Sequence, residues 1–150
     1  MRAGDRAPDF ELRDQTGAVR RLSDELARGP VVLFFYLAAM TPGCTRETCH
    51  FRDLRAEFEA VGASRMGISH DSVERQRAFA ERHGFDFPLL SDPERDVART
   101  FGVARFGGTL PTRRSTFVID RDGTVLSVYH SELRMNDHAD RALALLRSHR

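Results

Sequence analysis

Apolar residues recur along this chain at two periods, and the switches between them outline alternating strands and helices. Val31-Val32-Leu33-Phe34-Phe35-Tyr36 is an unbroken apolar run, the pattern of a strand covered on both faces. Phe51, Leu54, Phe58 and Val61 then repeat at helical spacing. They predict a helix that starts with Thr41 as N-cap and Pro42 at the first position, and stops at Gly62. Arg65 to Ser69 reads as a strand, and Asp71-Ser72-Val73-Glu74 has the spacing of a capping box, opening a helix that runs to Gly84. Pro88-Leu89-Leu90 is a short strand, followed by a helix opened by Asp92-Pro93-Glu94 and ended at Gly102.

Both ends of the chain carry hairpin signals. Phe10-Glu11-Leu12 and Ala18-Val19-Arg20 flank an Asp14-Gln15-Thr16-Gly17 turn, and a short helix from Leu22 ends near Gly29-Pro30. Thr116 to Ile119 and Val125 to Tyr129 flank Asp122-Gly123, a strong hairpin dipeptide. A last helix is predicted from about Asp137 to Leu146, with Ala142, Leu145 and Leu146 on its apolar side. Strands alternating with helices, then a hairpin and a terminal helix, predict an α/β sandwich around a mixed central sheet. With 150 residues and no repeat or linker, one domain over 1–150 is expected.

Composition narrows the chemistry. The net charge is +1 with both signs interspersed, so no basic surface for nucleic acid or an anionic membrane is expected. All 23 basic residues are arginine, which excludes a Schiff-base lysine and a P-loop lysine. Met1-Arg2-Ala3-Gly4-Asp5 lacks the apolar run of a secretory leader. Val31 to Met40 is half the length of a membrane span. A cytoplasmic protein is the expectation, and there two neighbouring cysteines point to redox, catalytic or metal chemistry rather than a structural staple.

Those cysteines are Cys44 and Cys49. Cys44 falls at the third position of the helix capped by Thr41, where the positive end of the helix dipole and free backbone N–H groups favour a thiolate. Cys44, Phe51 and Phe58 are spaced by sevens, which turns the sulfur toward the apolar stripe. Cys49 lies five residues on. In an intact helix the two Cα atoms are about 8.6 Å apart, beyond the roughly 7 Å limit of a disulfide. The spacing therefore implies a two-state element, wound with a free nucleophile or unwound with a disulfide. C-x4-C is not the thioredoxin C-x-x-C. His50 and His70 supply no recognised zinc spacing, and neither metal nor cofactor is expected. His70-Asp71-Ser72 is no hydrolase triad, because triad partners meet in space rather than in a row.

The run Phe34-Phe35-Tyr36, Thr41-Pro42-Gly43-Cys44-Thr45-Arg46-Glu47-Thr48-Cys49 and Phe51-Arg52-Asp53 resembles the peroxiredoxins, specifically the bacterioferritin comigratory protein (peroxiredoxin Q) subfamily. The likeness extends to Gly4-Asp5, Ala7-Pro8-Asp9-Phe10, Gly67-Ile68-Ser69, Asp71-Ser72, Leu89-Leu90-Ser91-Asp92 and Arg114-Ser115-Thr116-Phe117-Val118-Ile119-Asp120. The resemblance implies a thioredoxin-like fold with an N-terminal hairpin extension and a thiol-dependent hydroperoxide reductase. It implies Cys44 as peroxidatic cysteine, Cys49 as resolving cysteine closing a Cys44–Cys49 disulfide, and Thr41 as the active-site threonine. Arg114 matches the arginine that contacts thiolate and peroxide, and Glu47 the acidic residue linked to it. Thioredoxin or a related dithiol protein is the implied reductant, and a monomer or weak homodimer is expected.

Two departures stand out: Leu37 occupies the position of the family's proline, seven residues before Cys44, and Gly107-Gly108-Thr109-Leu110 is slightly shorter than usual.

Thiolate abundance is a weak lever for such chemistry. Lowering any thiol from about 8.5 to about 6 raises its ionised fraction at pH 7 about thirtyfold, but the accompanying loss of nucleophilicity removes about tenfold. The larger effect must come from groups that stabilise charge on the peroxide oxygens, with Arg114, the Thr41 hydroxyl and first-turn N–H groups as candidates. A disulfide carrier that never meets peroxide and a redox-sensing module are the competing functional classes.

Overall fold

A computed structural model describes residues 1–104 and 112–149; the Gly107–Leu110 stretch noted above lies outside them. Among the described residues seven strands form one sheet: β1 (Glu11–Arg13), β2 (Val19–Arg21), β3 (Val31–Phe35), β4 (Ser64–Ser69), β5 (Leu89–Ser91), β6 (Ser115–Ile119) and β7 (Val125–His130). Their order across the sheet is β2-β1-β5-β4-β3-β6-β7. The centre, β3-β4-β5, is parallel. β6 runs antiparallel to β3, with Val31 opposite Ile119, and the β1–β2 hairpin joins the other edge antiparallel to β5. The mixed sheet and N-terminal hairpin expected from the pattern are both present.

Helices cover both faces: α1 (Leu22–Leu26), α2 (Pro42–Asp53), α3 (Arg55–Ala60), α4 (Val73–His83), α5 (Asp96–Thr100) and α6 (Met135–Ser148). Side chains of β3 alternate between two cores, as strand geometry requires. Val32, Phe34 and Tyr36 point toward α2, α3, α4 and α6 and meet Cys44, Phe51, Phe58, Phe79 and Leu143. Val31, Leu33 and Phe35 point the other way, toward Leu22, Val97, Phe101 and Phe117. Among the described residues no helix is long and apolar enough to cross a membrane.

Several boundaries differ from the sequence reading, each for a local reason. The helix expected over 41–62 breaks at Leu54, whose backbone (φ −92°, ψ 21°) leaves helical geometry. Phe58 N–H still bonds to the Leu54 carbonyl, so the axis turns there with Phe51 and Phe58 both kept in the core. α4 is capped by Ser72, which accepts from Arg75 N–H, and not by Asp71, whose carboxylate is engaged elsewhere. α5 begins at Asp96 rather than at Asp92. Asp92 still caps it from the preceding turn, accepting from the Val97 and Ala98 amides. α6 begins at Met135; Leu143 joins Ala139, Ala142 and Leu146 in the core, and Leu145 packs partly buried against it.

Candidate active site

The end of β3 delivers the chain into a loop, residues 37–41, that aims α2. Tyr36 continues the strand's hydrogen bonding by donating its N–H to the Ile68 carbonyl. Beyond it, Ala39 N–H donates to Asp71 Oδ2 at 2.7 Å, and the same oxygen accepts from the Ser69 hydroxyl at 2.7 Å. Met40 adopts left-handed backbone (φ 71°), an unusual conformation for a residue with a Cβ. Leu37, at the family's proline position, is half-buried and packs on the Cys44-containing core. The loop is therefore shaped by apolar packing and one buried carboxylate.

Thr41 occupies the N-cap position with extended backbone and Pro42 follows in the first turn, as expected. The cap itself is not formed: the Thr41 hydroxyl donates to the Ala38 carbonyl at 2.8 Å instead of accepting from the helix. Thr41 is exposed, and the structure assigns its hydroxyl no bond to the sulfur. Free amides of the first turn thus remain available to whatever approaches Cys44.

Cys44, Arg114 and Glu47 come together as the resemblance implies. Cys44 and Glu47 are fully buried and Arg114 is 3% exposed. Arg114 Nη2 donates to Cys44 Sγ at 3.2 Å, and Nη1 donates to Glu47 Oε1 at 2.8 Å. Cys44 and Glu47 are three apart on α2, so one planar guanidinium spans both. The Arg114 backbone is fixed in turn, its N–H donating to Glu132 Oε2 at 2.9 Å. Gly43 makes room for this approach: a Cβ there would sit 3.2 Å from Met135 Cε and 3.5 Å from Arg114 Nη2. The result is a sulfur and two hydrogen-bonding nitrogens in a buried recess, where charge interactions are strong.

Cys49 is half-buried and both cysteines are free thiols. Burial pushes the Cys49 thiol up, opposed by the nearby Arg52, and so favours its protonated form in the wound helix. α2 is helical through both positions, which keeps their Cα atoms about 8.6 Å apart by helix geometry. The helix must open before the sulfurs can bond.

Two residues of the site have roles that the sequence does not reveal. Asp71 reads there as a helix opener and part of the family motif, yet its carboxylate holds the loop ahead of α2. His138 was not singled out at all. It is fully buried on α6. Its Nε2 lies 2.9 Å from the Ser131 carbonyl, its Nδ1 lies 2.7 Å from Thr116 Oγ1, and Nδ1 is 3.5 Å from Glu47 Oε2. Burial raises Glu47 to about 8 against the opposing pull of Arg114, and burial depresses His138 to about 4. The available sequence signal was a histidine on the apolar face of the terminal helix, four residues before Ala142. Among the described residues no group of three or more His, Cys, Asp or Glu side chains could hold a metal ion.

Comparison with known proteins agrees with this geometry. The AhpC/TSA family matches residues 3–128. The chain is 42% identical over 146 residues to the chloroplastic peroxiredoxin Q of Sedum lineare, covering 97% of this chain and 77% of the relative. It superimposes on the crystal structure of peroxidoxin BcpB from Mycobacterium tuberculosis with a TM-score of 0.96 and 60% identity, over 100% of this chain and 99% of that one. The bacterioferritin comigratory protein of Xanthomonas campestris, a structure described for its alkyl peroxide reduction activity, gives a TM-score of 0.85 and 34% identity over 93% of this chain and 91% of that one. With a thioredoxin-like fold and a buried Cys-Arg-Glu cluster at a helix start, the chain belongs to the AhpC/TSA family, among the peroxiredoxins of the peroxiredoxin Q or bacterioferritin comigratory protein group.

Proposed function

We propose that Cys44 is the peroxidatic nucleophile of a thiol-dependent hydroperoxide reductase and that Cys49 resolves it. The observation that carries the assignment is the 3.2 Å bond from Arg114 Nη2 to Cys44 Sγ inside a recess that buries both. The thiolate attacks the terminal peroxide oxygen, the O–O bond breaks, and water or an alcohol leaves with the remaining oxygen and a proton. Cys44 becomes a sulfenic acid. Arg114, already aimed at the sulfur, and the free amides of the first turn of α2 face the oxygens on which charge grows.

The next step needs motion. The first turns of α2 open, the Cys49 thiol attacks the sulfenic sulfur, water leaves, and a Cys44–Cys49 disulfide forms. Helix ends open at low free energy, and the Thr41 side chain makes no cap bond to the first turn of α2. A dithiol protein of the thioredoxin type then returns both thiols, and alkyl hydroperoxides join hydrogen peroxide as substrates. The test is oxidation of reduced protein with one equivalent of hydrogen peroxide, followed by disulfide mapping by mass spectrometry. An intrachain Cys44–Cys49 bond is expected; two unpaired thiols, or links only between chains, would overturn the resolving route.

A further inference from the structure

Glu47 presents an unusual arrangement for an acidic residue in an ion pair. Oε1 accepts from Arg114, but Oε2 is fully buried and has no hydrogen-bond partner among the described residues. The polar atom it faces is His138 Nδ1, 3.5 Å away. Buried polar oxygens are nearly always satisfied, so a charged oxygen stranded here needs another explanation.

Charge counting supplies one. Arg114 brings one positive charge to two acids, the Cys44 thiol and the Glu47 carboxyl. If both ionise, the recess carries a net negative charge out of water, which low-dielectric surroundings oppose. Nor does neutral His138 relieve an ionised Oε2. With Nε2–H donating to the Ser131 carbonyl, Nδ1 is an acceptor whose lone pair takes the Thr116 hydroxyl, so the ring offers Oε2 no proton.

We infer that the Glu47–His138 pair retains one proton while Cys44 is a thiolate, so that the charge of Arg114 is left to the sulfur. Glu47 and His138 thereby act as positioning residues: they hold the guanidinium in place without competing for its charge. The opposed effects of burial, raising Glu47 to about 8 and lowering His138 to about 4, put the proton on the carboxyl side at neutral pH. The other groups facing the pair come from each element around it. They are Thr116 on β6, Tyr129 on β7 with its ring edge-on to the imidazole at 4.9 Å, and Glu132 and Asp137 near the start of α6. The two acids favour retention of the proton, and Arg114 alone opposes it at the carboxyl.

The inference rests on the peroxidase reading only for its kinetic consequence. When the pair loses its proton at alkaline pH, Arg114 is divided between two anions and attack on peroxide slows. Reduced protein should therefore lose at least about threefold in the single-turnover rate of Cys44 oxidation between pH about 7 and about 9.5, read by rapid quench and mass spectrometry. Glu47→Gln, which has no proton to lose, should lack this alkaline limb. Alkylation of Cys44 by iodoacetamide, which needs no oxygen stabilisation, should show no such fall.

The proton itself is read directly on wild-type protein at pH 7. Either a carboxylic-acid carbonyl band in the infrared that disappears in Glu47→Gln, or an imidazolium nitrogen signature at His138 by NMR, supports the inference. Absence of both signatures overturns it, as does an alkaline limb that persists in Glu47→Gln. A Cys44 that alkylates normally but ignores peroxide would sink the peroxidase reading and leave the proton measurement standing.

Discussion

The two faces of the central sheet use similar side chains to different ends. On one side Phe35, Phe101 and Phe117 interlock edge-on or tilted around Leu33 and Ile119. On the other, Phe34 stacks on Phe51 at 4.1 Å, Phe51 on Phe58 at 5.9 Å, and the same cluster contains Cys44. The first core only holds the sheet to its helices. The second also fixes the sulfur, because Phe51 and Phe58 repeat Cys44's phase along the chain. Beside it lie Glu47, Arg114 and His138, charged or titratable groups that an ordinary core would exclude. Reactivity here comes from a polar cluster set into one of two otherwise equivalent apolar layers.

Matched truncations give the sharpest test of that contrast. Phe35→Ala and Phe51→Ala should each cost about 3–5 kcal/mol of stability by denaturant unfolding. Only Phe51→Ala should also slow Cys44 alkylation in the fraction that remains folded. Equal effects on the thiol from both sides would erase the distinction.

The titratable groups give the second test. His138, lowered from 6.5 to about 4, stabilises the fold above pH 6.5, and that contribution is lost as pH falls toward 4. Glu47, raised from 4.5 to about 8, stabilises it below pH 4.5, and that contribution is lost as pH rises toward 8. Between 4.5 and 6.5 the two slopes oppose and cancel. Above 6.5 only Glu47 acts, and stability should fall by on the order of 1–2 kcal/mol by pH 8. Glu47→Gln should flatten that fall in a pH series of thermal melts, whereas an unchanged slope would place its cause elsewhere.

Arg114→Met keeps most of the bulk and removes the charge. Peroxide oxidation of Cys44 should drop at least about tenfold while the circular dichroism spectrum persists; a rate close to wild type would remove Arg114 from the mechanism. The smallest effect is expected at Gly43. Its added methyl in Gly43→Ala would press on Met135 and the Arg114 nitrogen that serves the sulfur, and about a threefold slowing is anticipated for so slight a displacement. A faster enzyme would mean that the contact holds Arg114 back.

Much of this arrangement was legible in the chain. The apolar run at 31–36 gave β3, the seven-residue spacing gave the direction of Cys44, and the five-residue step from Cys44 to Cys49 gave a distance no disulfide could span in a wound helix. Arg114 and Glu47 were reached only through resemblance to a family. Nothing in the local sequence marks one arginine among 23 basic residues, and its partner lies 67 residues away. The same blindness hid Asp71 and His138, and it overvalued Thr41 as a side-chain cap, because the Ala38 carbonyl that takes its hydroxyl belongs to a loop whose path the tertiary fold sets.

Sequence by itself determined the strands, the helix that carries both cysteines, and the side of that helix on which the nucleophile lies, since these follow from periods of a few residues. Tertiary structure alone decided which cation meets the sulfur, which carboxylate anchors the loop, and which imidazole faces Glu47. Those pairings depend on sheet order and helix packing, which bring residues far apart in the chain face to face, the first two at hydrogen-bond distance and the imidazole 3.5 Å from Glu47.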